Sequence, residues 1–150
     1  MPAFLSLEMT EFNRLYKETD HIYTRYGALK GVSPTALYVL YALYTSPAPC
    51  TQTRLAEEWG MPMQTVNSCL KALEKSGDVR LTFAPGSRKS KTVQLTPQGQ
   101  KMADEVVAPL VEAENRALCA MDNEERAQLL ALTRKHNRLL RGCLLKEQTV

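Results

Sequence analysis

Six polar residues recur between positions 64 and 75 at helical spacing, and each side chain carries a hydrogen-bond donor. They are Gln64, Thr65, Asn67, Ser68, Lys71 and Lys75. Steps of three and four residues place such side chains on one outer face of a helix, with Thr65 beside them. Carboxamides pair with base edges, and hydroxyls and ammonium groups bind phosphate. No Asp or Glu occurs from Pro62 to Leu73 to repel a phosphate backbone. A merely solvated stripe is the alternative for this face.

A loop rich in turn-forming and basic residues follows this stretch. Arg88, Lys89, Ser90 and Lys91 come after Pro85-Gly86-Ser87. Three cations in four positions favour contact with phosphate or the minor groove. The alternative is a flexible, solvated turn.

The residues on either side of that loop alternate with a period of two, which predicts a hairpin. Val79, Leu81 and Phe83 are expected on the buried side of the first strand, and Val93 and Leu95 on that of the second. The basic loop is therefore predicted to be the tip of a wing.

The elements that must position these residues follow from the apolar pattern and its punctuation. Six helices are predicted. The first spans Thr10 to Lys30, the second begins at Ser33-Pro34, and the third is capped by Thr51 and has Leu55, Ala56 and Trp59 inward. The fourth spans Pro62 to about Ser76. The fifth begins at Thr96-Pro97, and the sixth begins at a capping box of Asp122 and Glu125. The predicted fold class is mainly α with a small β-hairpin wing, a winged helix-turn-helix flanked by N- and C-terminal dimerisation helices.

Length and charge fit this interpretation. A chain of 150 residues suits one domain, and 44% apolar residues argue against disorder. The net charge is +3, but residues 62–101 hold seven Lys or Arg against Glu74 and Asp78, which gives +5, and the remaining residues sum to −2. The excess positive charge therefore coincides with the predicted DNA-reading segment.

Cysteines and histidines do not form a recognisable site in the sequence. Cys50, Cys69, Cys119 and Cys143 show no C-x-x-C spacing, so neither a disulfide framework nor a zinc ribbon is expected. His21 and His136 are the only histidines, and no metal or other cofactor is predicted.

We also find no nucleophile motif, phosphate loop or diagnostic carboxylate pair, so an enzyme is not expected. Without a leader or a membrane-spanning run, we expect a soluble cytoplasmic protein.

In motif order the chain resembles the multiple antibiotic resistance regulator (MarR) family of bacterial transcription factors. The motifs are Thr51-Gln52-x-x-Leu55-Ala56, Gly60-Met61-Pro62-x-Gln64-Thr65-Val66-Asn67-Ser68, Leu73-Glu74-x-x-Gly77, and the stretch from Arg88-Lys89-Ser90-Lys91 to Leu95-Thr96-x-x-Gly99. The order of elements agrees from about Thr10 to Leu144. Two departures stand out, because Ser87 and Lys89 occupy wing positions that are often Asp and Arg in the family, and Met63 occupies an often basic position.

The resemblance implies a single domain over residues 1–150, with a DNA-binding lobe at 33–96 and dimerisation helices at 8–30 and 97–146. It implies a homodimeric repressor of a palindromic site in double-stranded DNA, released by a small-molecule effector. The predicted DNA-binding residues are Thr51, Gln52, Gln64, Thr65, Asn67, Ser68, Lys71, Lys75, Arg88, Lys89, Ser90 and Lys91. Tyr16, Tyr23 and Tyr38 are candidates for an effector pocket, although core packing explains them equally well.

A homodimer also has a geometric argument, since one lobe contacts too few bases for useful specificity. The apolar residues near both ends of the chain need burial. Interface candidates are Phe12, Leu110, Leu118, Leu129, Leu132, Leu139 and Leu140, and each of the leucines in the sixth helix fits an intramolecular core equally well.

Two alternative functions stay open at this point. A winged helix can contact protein instead of DNA, although such a module would not need a reading face free of acidic residues. A thiol-based redox regulator would use Cys50 or Cys69, although Cys69 is predicted to face the core, where cysteine usually acts as a small hydrophobe.

Overall fold

In the computed structural model, which describes residues 6–46 and 48–145, the chain forms six helices and a three-stranded antiparallel sheet. The elements are α1 (Leu7–Leu29), α2 (Pro34–Thr45), β1 (Cys50–Thr51), α3 (Gln52–Glu58), α4 (Met63–Lys75), β2 (Val79–Phe83), β3 (Lys91–Leu95), α5 (Pro97–Cys119) and α6 (Asn123–Leu144). The predicted fold class is confirmed. Pro47 and Lys146, the last residue of the predicted dimerisation range, lie outside the described residues.

Four of the predicted helix starts are capped by the side chains that the sequence indicated, and at the start of α5 the Gly99 N–H donates to Thr96 Oγ1 at 3.0 Å. The Ala36 N–H donates to Ser33 Oγ at 3.2 Å, and the Arg54 N–H donates to Thr51 Oγ1 at 3.1 Å. Asp122 and Glu125 form the reciprocal capping box at the start of α6. Each cap satisfies a backbone donor that the helix itself leaves unpaired.

The chain divides after Pro109 into two compact units. In the first unit, α2, α3, α4 and the sheet enclose a core that includes Val39, Leu55, Val66, Leu70 and Val93, all essentially inaccessible to solvent. Burying each of these side chains contributes roughly 1.5–3 kcal/mol. This core fixes α3 and α4 against the sheet.

The sheet has the order β1-β3-β2, and β1 is a strand that the sequence analysis missed. Two residues are too few to show a period of two, so only tertiary pairing reveals it. Cys50 pairs with Val93 and Thr51 with Thr92, which joins the start of α3 to the hairpin.

Two aromatic residues predicted on buried faces are more exposed than expected. Phe83 is 61% exposed because it ends β2, beyond the core. Trp59 is 37% exposed because it lies at the end of α3, where one face of its ring packs on Tyr38 with 4.9 Å between ring centroids. The inward orientation predicted for Phe83 was wrong, whereas Trp59 packs against Tyr38 and Tyr41 of α2 and keeps only its outer part exposed.

In the second unit, α6 has no buried residue along Asn123–Leu144. The turn before α6 is held by Arg126, whose guanidinium donates to the carbonyl oxygens of Leu118 and Met121 and to the side chain of Asn123. The unit therefore exposes a long helix with an apolar stripe.

Candidate nucleic-acid interface

Helix α4 is held in a helix-turn-helix arrangement by its buried side. Val66, Leu70 and Leu73 are buried in the core, and the turn before α4 contains Gly60 with φ of 58°. The Met61 N–H donates to the Ala56 carbonyl at 2.9 Å and closes the turn onto α3. Glycine suits this positive φ, which other residues rarely adopt. The opposite face of α4 is therefore presented to solvent.

The six polar residues predicted on that face do share it. Gln64, Thr65, Ser68, Lys71 and Lys75 are exposed, and Asn67 is partly buried beside them. Helix α4 begins at Met63, and the preceding Pro62 provides no side-chain cap, so the N–H groups of Met63 and Gln64 have no side-chain acceptor there. Those N–H groups and the helix dipole favour an anion at this end.

The partly buried position of Asn67 results from a contact that the sequence did not reveal. Gln52 Nε2 donates to Asn67 Oδ1 at 3.2 Å, which ties the first residue of α3 to the outer face of α4. Gln52 and Thr51 are themselves half-buried. Gln52 therefore lies beside the outer face of α4, and Thr51 precedes it in β1.

The wing tip is an ordered turn organised by Ser87. Its Oγ accepts from the N–H of Ser90 at 2.9 Å and from that of Lys89 at 3.2 Å, and the Ala84 N–H donates to the Ser90 carbonyl. Short polar side chains commonly stabilise turns this way. Arg88 and Lys89 are exposed at the tip. Ser87, where the family often has Asp, thus fills the role of a turn-capping acceptor.

Two further wing residues carry features that the sequence analysis did not assign. The Lys91 ammonium lies 5.4 Å from the centre of the Phe83 ring, a cation–π distance, so the exposed ring accompanies a basic side chain. Arg80 is exposed on β2 and is one of the seven cations of residues 62–101, but it was not among the predicted DNA-binding residues. The sequence signal for Arg80 was its place among the polar residues that alternate with the apolar residues of β2.

Both acidic residues of the segment 62–101 are engaged within the fold. Glu74 accepts a hydrogen bond from the Leu81 N–H at 3.3 Å. Asp78 is buried and accepts from Ser76 Oγ and, at 2.9 Å, from Gln98 Nε2. In the part of the chain that the structure describes, the ion pairs are Arg14 with Glu11 and Glu18, and Arg54 with Glu58. The seven cations of the segment are therefore not neutralised by ion pairs among these residues.

The network around Asp78 also fixes the base of the wing to α5. The Thr96 N–H donates to the Asp78 carbonyl at 3.0 Å, and Gln98 Nε2 donates to the Ser76 carbonyl at 2.8 Å. Gly99 is buried, and its backbone lies so close to Asp78 that a Cβ at this position would be 1.7 Å from the Asp78 carbonyl oxygen. The glycine is required by this close approach.

A groove of about 670 Å³ runs between the start of α2 and α4. Ser33 and Thr35 line one wall, and Gln64, Ser68 and Cys69 line the other. These residues make the recognition face concave along one side, with hydroxyl groups on both walls.

The cysteines differ in exposure. Burial raises the pKa of the Cys50 thiol, to which Glu58 adds a smaller effect, and burial also raises the pKa of Cys69. A raised pKa lowers the fraction of reactive thiolate at neutral pH. Cys119 and Cys143 are exposed and free.

The residues predicted for the dimer interface and the effector pocket lie in varied environments. Leu110 is 7% exposed within the single chain, whereas Phe12, Leu118, Leu129, Leu132, Leu139 and Leu140 are all more than 40% exposed. Tyr16 is exposed, and Tyr23 and Tyr38 are partly buried. Burial raises the pKa of Tyr38, with smaller contributions from Asp20 and Tyr16.

Within the described residues no group of three His, Cys, Asp or Glu is placed to hold a metal ion, and no helix has the length and apolar character to span a membrane.

Comparison with known proteins assigns the lobe that carries these features. A model of the MarR family matches residues 30–90, which run from the end of α1 to the wing tip. The winged helix-turn-helix lobe is therefore similar to that of the MarR family. Transcription regulators, not enzymes, make up this family. A search of curated protein sequences found no match.

Solved structures share the fold of this lobe and of the helices around it. A MarR family regulator from Neisseria meningitidis, NMB1585, superposes with a TM-score of 0.81 at 17% identity, covering 95% of this chain and all of that one. MepR of S. aureus in a DNA-binding conformation gives 0.75 at 19% identity over 86% and 98% of the two chains. A MepR–DNA complex gives 0.72 at 19% identity over 85% and 96%. At these identities the likeness shows the fold alone.

Proposed function

We propose that this protein is a homodimeric transcription regulator that binds a palindromic site in double-stranded DNA. Helix α4 enters the major groove with Gln64, Thr65, Asn67 and Ser68 toward the base edges, and Lys71 and Lys75 bind phosphate. At the wing, Arg88, Lys89, Ser90 and Lys91 contact the backbone or the minor groove. Thr51 and Gln52 lie at the edge of the same surface. As a DNA-binding regulator it acts in the cytoplasm.

One observation carries this proposal above the others. The exposed face of α4 and the wing tip both carry exposed cations, whereas Asp78 is buried and Glu74 accepts a hydrogen bond from the Leu81 N–H. A surface evolved only for solubility usually mixes both signs of charge. Here the positive charge is concentrated on the structural elements that contact DNA in other winged helices.

The dimer is proposed to form through the helices at both ends of the chain, residues 8–30 and 97–146. The apolar stripe of α6 is exposed in the single chain, and Leu132 is 63% exposed. Pairing two such stripes removes them from water and places two reading lobes on one duplex. By the family resemblance, we propose repression that a small-molecule effector relieves, with Tyr16, Tyr23 and Tyr38 near its pocket.

Selection from random duplex DNA tests this function. Purified protein is mixed with a random pool, and the bound duplexes are sequenced after selection at several salt concentrations under reducing conditions. We expect an enriched palindrome whose half-sites lie about one helical turn, roughly 34 Å, apart. If no sequence is enriched and no salt-sensitive binding is seen, the proposal is contradicted. That result would favour the alternative, a winged-helix module that binds protein.

A further inference from the structure

Asn67 is held from within the chain by a rigidly placed neighbour. Gln52 Nε2 donates to Asn67 Oδ1 at 3.2 Å. Gln52 is the first residue of α3, and the preceding Thr51 both caps that helix and pairs with Thr92 of β3. Because a helix cap and a sheet fix its backbone, Gln52 is a stable support for the Asn67 side chain.

This hydrogen bond determines which part of the Asn67 carboxamide is available to DNA. A carboxamide has one oxygen that accepts and one NH₂ group that donates, which lie in one plane on either side of the bond joining the group to Cβ. With Oδ1 directed at Gln52, Nδ2 is directed away from it. No residue in the described ranges, 6–46 and 48–145, accepts a hydrogen bond from Asn67 Nδ2. Asn67 therefore offers its donors to an outside partner, while Gln52 already engages one of the two lone pairs of its oxygen.

We propose that Gln52 is a positioning residue that sets the base recognised by Asn67, an inference that rests on the DNA-binding function proposed above. An unrestrained Asn pairs with adenine by accepting from N6 and donating to N7. With its oxygen turned toward Gln52 and one lone pair engaged there, Asn67 is less able to form this pair. Its NH₂ group matches guanine, whose O6 and N7 both accept. Asn67 is thereby directed to guanine over adenine.

Two substitutions of Gln52 change this preference in different ways. In Gln52→Glu the new carboxylate can only accept, so Asn67 must donate Nδ2 to it and turn Oδ1 outward. The preferred base then becomes one with a donor, adenine N6 or cytosine N4, and the guanine-to-adenine affinity ratio falls about 10-fold. Gln52→Met keeps the side-chain length and removes the hydrogen bond, so the same ratio falls about 3-fold.

The test measures base preference instead of affinity alone, since a purely structural role for Gln52 would lower affinity at all sequences equally. The site selected by the wild-type protein is synthesised with each base pair replaced in turn. Binding is measured for the wild type, Gln52→Glu and Gln52→Met, each with and without Asn67→Ala. We expect a changed preference at one base pair per half-site, and no effect of the Gln52 variants in the Asn67→Ala background.

Two results would overturn the inference. Unchanged base preference in both Gln52 variants would show that the hydrogen bond does not direct Asn67. A change that persists with Asn67→Ala would show that Gln52 itself contacts the base. If the added carboxylate abolishes binding by Gln52→Glu, the decision rests on Gln52→Met measured with and without Asn67→Ala. An unchanged base preference, or a change that persists with Asn67→Ala, overturns the inference there too. If the wild type selects no site, the proposed function fails instead, which separates the two failures.

Discussion

At the scale of single residues, the chemistry of this protein depends on side chains that are ordered without being neutralised. Ser87 organises the wing tip through two backbone hydrogen bonds and leaves Arg88 and Lys89 exposed. Asn67 keeps its donor group while Gln52 occupies its oxygen. Side chains fixed before binding lose less conformational entropy when they meet a ligand. The proposed recognition surface is thus organised within the single chain.

The thiols give a prediction at this scale. Because burial raises the pKa of Cys50 and Cys69, their thiolate fraction at neutral pH is below that of an ordinary cysteine and rises only at more alkaline pH. Cys119 and Cys143 are exposed. With a chromogenic disulfide reagent at pH 7.5, we expect the fast-reacting thiols of the wild type to be lost in Cys119→Ser plus Cys143→Ser.

The same double variant tests the redox alternative. Mild peroxide at pH 7.5 should leave its DNA binding unchanged, since the remaining thiols are buried or half-buried and weakly ionised. Loss of binding that a reductant restores would instead identify Cys50 or Cys69 as a redox sensor.

At the scale of elements, the end of α4, the wing and the start of α5 are fixed by one network. Asp78, Thr96 and Gln98 connect their backbones, and Gly99 allows the close approach. The orientation of the wing relative to α4 therefore depends on packing at Gly99. Recognition helix and wing consequently belong to one rigid part of the first unit.

Substitution of Gly99 tests this connection. In Gly99→Ala the new Cβ would lie 1.7 Å from the Asp78 carbonyl oxygen, so the backbone must shift. We expect a loss of about 3 kcal/mol in unfolding free energy, or roughly 6–12 °C in Tm by calorimetry.

Gly142→Ala is the matched control for Gly99. It lies in α6 with no described atom within 4 Å of its added Cβ. It should stabilise the helix by about 0.5–1 kcal/mol. Equal Tm changes in the two variants would refute the role assigned to Gly99.

How far the elements follow from sequence depends on whether the signal is local. Caps such as Ser33 and Asp122 act within one helical turn, and the structure confirms both. Strand β1 and the Gln52–Asn67 hydrogen bond depend on residues 15 or more positions apart, so no local pattern contains them. Phe83 follows the strand period but lies beyond the core, which the period alone does not define.

At the scale of the whole molecule, the unit after Pro109 has helical surface that only another surface can bury. The apolar stripe of α6 includes Leu129, Leu132, Leu139 and Leu140, all exposed. Each leucine buried is worth roughly 1.5–3 kcal/mol, and a two-fold interface counts each residue twice. The proposed homodimer provides that burial.

Charges introduced into this stripe should separate the subunits. We expect Leu132→Glu plus Leu139→Glu to raise the dimer dissociation constant at least about 100-fold in analytical ultracentrifugation. Leu130→Glu is the control, since Leu130 is also exposed but lies off the stripe, toward Arg134 and Asn137. A double variant as dimeric as the wild type would place the interface elsewhere.

The central claim, that the wing and α4 form a DNA-binding surface, is tested most directly by the salt dependence of DNA binding after Arg88→Ala plus Lys89→Ala. The control is Arg134→Ala plus Lys135→Ala, the same exposed pair of residue types on α6. If both wing cations neutralise phosphates, the slope of log affinity against log salt concentration should become shallower by about 1.8. Affinity at about 0.1 M salt should fall roughly 10-fold or more, with the control unchanged. An unaltered slope and affinity in the wing variant would contradict the account.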